Sequence, residues 1–90
     1  MHKIDVENTG PHEYGVTVNQ DGTTTKHHIR VPQRLLDDLA VTEDNEERLV
    51  QESFVFLLER EPATSILREF DLDVISRYFP EYGTEIRSRL

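Results

Sequence analysis

A chain of 90 residues and 10.5 kDa has room for one hydrophobic core and none for a second domain. Leu, Ile, Val and Phe supply 26 of the 90 residues, well above the ~20% below which chains stay disordered, so the chain is expected to fold. Eighteen acids against ten bases give a net charge of −8, which repels phosphate backbones and anionic membranes, and the lack of cysteine excludes disulfides, thiolate metal sites and thiol catalysis.

Every apolar run falls far short of the roughly 20 residues that span a bilayer. The opening Met-His-Lys-Ile-Asp-Val-Glu has no signal-peptide centre, so a cytoplasmic location is the default expectation.

In chain order, Ile4 and Val6 alternate with Asp5 and Glu7, which predicts a short strand over about 3–7, followed by the turn formers Asn8-Thr9-Gly10-Pro11. From Glu13 to Val31 the period is again two, interrupted by Asp21-Gly22, a dipeptide suited to a two-residue hairpin turn with positive φ at both positions. Placing that pair at the tip sets Gln20 opposite Thr23, Val18 opposite Thr25, Val16 opposite His27, Tyr14 opposite Ile29 and His12 opposite Val31. The other face then carries Glu13, Gly15 and Thr17 opposite Arg30, His28 and Lys26, and Gly15, inside a strand, suggests a bulge.

Pro32 suits the first turn of a helix that carries Leu35, Leu36, Leu39 and Ala40. Asp44, with Glu47 three residues on, predicts the start of a second helix over about 45–60. Its apolar face is Leu49, Val50, Phe54, Phe56, Leu57 and Leu58; Val55 falls among polar residues and is a candidate rim contact. Glu61-Pro62 ends that helix. Beyond it the spacing predicts a short helix through Ile66, Leu67 and Phe70, capped by Thr64 or Ser65. Another follows from Asp71 with Val74, Ile75, Tyr78 and Phe79, then a frayed one from Glu81. The fold class expected is α+β: a small antiparallel three-stranded sheet covered on one face by several helices, as a single domain over 1–90.

No familiar catalytic motif, phosphate-cradling glycine loop or dinucleotide fingerprint occurs. His27 and His28 point to opposite sheet faces in the hairpin register and cannot share an ion, so no metal site, cofactor or catalytic residue is assigned. His27 reads as a core-edge imidazole with local hydrogen bonds. The carboxylate pairs, Glu46-Glu47 among them, read as solvated charge at helix starts. The expected role is a non-enzymatic protein-interaction or regulatory module, monomeric or weakly homodimeric, binding an unidentified protein or peptide. Its candidate contacts are Lys26, His28 and Arg30 along the free edge and outer face of the second hairpin strand, where an acidic peptide could add as a strand, with Val55 and an exposed Tyr82.

Two stretches carry resemblances. His28-Ile29-Arg30-Val31-Pro32 stands where the strand of ribbon-helix-helix repressors enters their first helix, and Arg48 to Leu58 where their second helix packs, so residues 28–60 resemble that family. The resemblance implies a DNA-binding regulator in which Lys26, His28 and Arg30 read a groove. The partnering of Glu13–Val18 with that strand inside one chain, and segment charges of −2, −5 and −1 over 1–40, 41–61 and 62–90, rank this role second. Phe54 to Pro62, Ser65 to Phe70 and Ile75 to Tyr82 are similar to the tail of small bacterial proteins without an assigned activity, which implies no residue role.

Overall fold

A computed structural model of the chain describes residues 2–90. Strands β1 (His2–Gly10), β2 (Glu13–Gln20) and β3 (Thr23–Arg30) are followed by helices α1 (Gln33–Leu39) and α2 (Glu46–Leu58), a short strand β4 (Glu69–Asp71), and helices α3 (Ile75–Tyr78) and α4 (Tyr82–Arg89). Single 3-10 turns lie at Glu43–Asn45, Ala63–Ser65 and Leu72–Val74. The architecture is α+β. The sheet has four strands rather than three, in the order β1-β2-β3-β4, and it is mixed because β4 runs parallel to β3.

The hairpin register matches the one drawn from the Asp-Gly turn, from Gln20 opposite Thr23 out to Glu13 opposite Arg30. Asp21 and Gly22 take φ values of 52° and 84°, the left-handed geometry that matches the twist of the flanking strands. The His12 carbonyl accepts the Val31 N–H at 2.8 Å and extends the contact past the ladder. Gly15 forms no bulge: it stays in register between Glu7 and His28, and a Cβ there would make only an ordinary 3.5 Å contact with Thr9. The irregularity lies one turn earlier, between Asn8 and Gly10, where the Asn8 amide donates to the Gly10 and Glu13 carbonyls.

Period two puts Tyr14, Val16, Val18, His27 and Ile29 on the covered face, all buried. Helix α2 lies over them, burying Leu49, Val50, Phe54, Phe56 and Leu57 in the same cluster. Its start differs from expectation. Asp44 sits in the 3-10 turn that leads into the helix, no side chain caps α2, and Glu46 and Glu47 occupy the first turn at the positive end of its dipole. Glu46 is buried rather than solvated, because its carboxylate turns back to the His12 ring at 2.8 Å.

Residues 64–70 form no α-helix: the 3-10 turn at Ala63–Ser65 ends at Ser65. Ile66 is extended (φ −77°, ψ 134°), and the chain runs to β4, where the His28 N–H donates to the Arg68 carbonyl at 2.7 Å. A spacing of four between Ile66 and Phe70 suits one face of a helix and also two periods of a strand. The unpaired edge of β3 decides between them, since it offers donors and acceptors that an isolated turn of helix does not. Helix α4 is tied down rather than frayed: Tyr82 and Ile86 are fully buried, Arg87 donates to the Asp38 carbonyl, and Arg89 meets Glu59 at 2.6 Å.

Candidate functional site

The residues singled out from sequence do not form one site. Lys26, His28 and Arg30 do line the outer face of β3, but β4 occupies the edge beside His28 to Arg30, which is therefore not free. Two of the three are also matched by acids. Arg30 Nε donates to Asp71 Oδ1 at 3.1 Å, and His28 stands 3.7 Å from Glu13 and 3.6 Å from Glu69. Val55 is half-buried on α2. Tyr82 is the reverse of the expected surface aromatic. Its ring is wholly buried, edge-on to Phe56 at 5.4 Å, with its hydroxyl 2.7 Å from Ser53 Oγ. Burial holds the phenol well above the ordinary tyrosine range. Two turns of α4 that look too polar to dock suffice because Tyr82 and Ile86 sit four apart on one face.

The large hydrophobics most exposed among the described residues are Tyr78, at 67%, and Leu67, at 51%, with Leu90 at the end of α4 less so. Tyr78 and Leu67 both line one groove of about 400 Å³ at the far end of α2. The groove is built by a change of backbone direction. Pro62 stops α2, the 3-10 turn at Ala63–Ser65 reverses the chain, and the extended residues after it put Ile66 and Phe70 into the core and Leu67 outward. Helix α3, entered through the 3-10 turn at Leu72–Val74, forms the opposite wall with Val74, Ile75, Tyr78 and Phe79.

Its supports are stiff. Phe79 packs edge-on to Phe56 at 5.9 Å, and the Arg60 guanidinium lies over the Phe56 ring, 3.6 Å from its centroid, while its Nε reaches Glu81 at 3.3 Å. The Leu67 carbonyl is held by His27 Nδ1 at 2.7 Å, and His27 Nε2 meets Thr25 Oγ1 at 2.9 Å, the local hydrogen bonding expected of that imidazole. Nδ1 is the donor, since the Leu67 carbonyl can only accept, and burial lowers the His27 pKa, which favours the neutral ring.

One ionisable acid, Glu61, stands in the groove lining, and burial raises its carboxyl pKa. A carboxyl on an apolar wall is a place for a donor: an amide, an ammonium or a guanidinium that arrives with an apolar body. Sequence reasoning missed Leu67 and Tyr78 because each sits at helical spacing from core residues. No local signal separates them from Ile66 and Phe79.

Among the described residues no group of three or more His, Asp or Glu side chains is placed to hold a metal ion, and no helix is long and apolar enough to cross a membrane. Comparison with family models, with curated proteins and with solved structures finds no match.

Proposed function

We propose that the protein is a small non-enzymatic interaction or regulatory module that holds a partner protein or peptide in the groove between the end of α2 and α3. The observation that carries this reading is the convergence of Leu67 and Tyr78 on one apolar groove. Large apolar side chains left in water beside a shaped concavity are the usual anchors of a binding surface. Glu61 in the wall and the net charge of −8 favour a partner that presents an aromatic or aliphatic anchor next to a lysine or arginine. The same negative charge, and the acids that already match His28 and Arg30, support ranking a protein partner above nucleic acid.

The test is selection from a displayed random-peptide library on the intact chain. Enriched sequences are expected to pair an apolar anchor with a base, and to lose at least tenfold in affinity for Leu67→Asp and Tyr78→Ala variants that keep the wild-type amide spectrum. Selected peptides that bind both variants as tightly as the wild type overturn the groove as the site.

A further inference from the structure

A second surface lies at the other half of the β3 edge. Strand β3 begins at Thr23, whereas β4 reaches it only at His28. The last bond on that side is the 2.7 Å contact from the His28 N–H to the Arg68 carbonyl. Peptide groups alternate in direction along a strand, so Lys26 and Thr24, two and four residues before His28, turn their N–H and C=O groups to the same side. Both residues are exposed. The chain leaves that edge at Leu67, whose carbonyl takes the His27 ring instead, and its departure is fixed further out by the Ala63 N–H donating to the Gln20 side chain at 2.9 Å. Between strand and departing segment opens a cleft of about 320 Å³, walled by Thr24, Lys26, Thr64 and Arg68.

The two bases in that cleft differ from those held in ion pairs, and share with Lys3, Arg48, Arg77 and Arg87 the lack of a carboxylate partner among the described residues. Arg30, Arg34, Arg60 and Arg89 each have a carboxylate within 3.3 Å. Lys26 and Arg68, on the two walls, have no carboxylate partner among the described residues, although the chain as a whole carries eight more acids than bases. Two unmatched cations beside two unpaired peptide groups suit a ligand with a β-strand backbone and acidic side chains. A second copy of the chain suits it less, because pairing two β3 edges brings the lysines of both copies together.

We infer that the open half of the β3 edge takes an extended acidic segment of a partner, added as a strand beside Thr24 and Lys26 with a carboxylate between Lys26 and Arg68. This surface is separate from the groove and does not depend on it.

The experiment is a titration of the isotopically labelled full chain with a capped hexapeptide of alternating valine and glutamate, beside the same peptide with lysine for glutamate and beside free glutamate. The acidic peptide is expected to shift the amides of Thr24 to Lys26 and Arg68, to slow hydrogen exchange at Lys26, and to weaken at least tenfold in a correctly folded Lys26→Glu, Arg68→Glu double variant. The Tyr78→Ala variant is expected to bind it unchanged. Equal binding of the lysine peptide, equal binding of free glutamate, self-association in place of peptide binding, or no shift at millimolar peptide overturns the inference and leaves Lys26 as a guard against edge pairing.

Discussion

The sheet of residues 2–31 and the segment 61–90 reach the same core by different routes. In the first, a two-residue turn sets the register and each strand lies beside its neighbour in sequence. In the second, the bonds that tie the segment to the rest of the fold are distant in sequence: Arg68 on His28, Ala63 on Gln20, Tyr82 on Ser53, Arg89 on Glu59. Local chemistry can build a ribbon. The second segment takes its order from contacts with the ribbon and with α2, and that segment carries the groove.

The comparison is tested most severely at Phe54. Its ring lies 5.3 Å from His27 on β3 and 6.2 Å from Phe70 on β4, so it joins the two regions. Phe54→Ala is expected to lower unfolding free energy by about 3–5 kcal/mol in urea titration, with both regions melting in one transition by amide exchange. A ribbon that keeps its protection after 61–90 has melted would show two cooperative units instead.

A pair of milder changes separates the regions in time. Gly22→Ala, at φ 84°, is expected to cost about 1–2 kcal/mol. With the Ser53 hydroxyl donating to the Leu49 carbonyl, the Tyr82 hydroxyl is the donor to Ser53 Oγ, and Tyr82→Phe is expected to cost about 1 kcal/mol. If the ribbon forms first, stopped-flow measurements will find the glycine change mostly in the folding rate and the tyrosine change mostly in the unfolding rate. The opposite partition would reverse the order of assembly.

The smallest effect is in pH, and the two histidines act in opposite senses. The Glu46 carboxylate raises the pKa of His12 above its ordinary value near 6.5, chiefly through their hydrogen bond. The stability from that pair is full below 6.5 and is lost as pH rises through the folded value. His27 has its pKa lowered by burial, so its contribution is present above 6.5 and is lost as pH falls through the folded value. Ring-proton titrations are expected to bracket 6.5 from either side, and His12→Gln to flatten the alkaline loss alone. Coincident titrations near 6.5 would remove both effects.

The α+β class, the hairpin register, α1, α2 and the role of His27 were legible in the sequence because each rests on neighbours: a turn dipeptide, a two- or 3.6-residue period, a proline. The fourth strand was not. Phe70 sits four residues from Ile66, a spacing common to helix and strand, and the deciding partner, His28, is 41 residues from Glu69. The docking face followed the same division. Tyr82 and Tyr78 have similar local patterns, and only the packing of α4 on α2 buries the first and leaves the second in water. Glu46 was unreadable for the same reason, since the imidazole that meets it lies on a turn 34 positions earlier.

The parallel pairing of β4 has a consequence for synthesis. At roughly 5–20 residues per second, about 2–8 s separate translation of Arg30 from that of its cross-strand partner Asp71. Until β4 is made, the flank of β3 from Thr23 to Arg30 has no strand beside it, and the charges of Lys26 and Arg30 disfavour its pairing with the same edge of another copy.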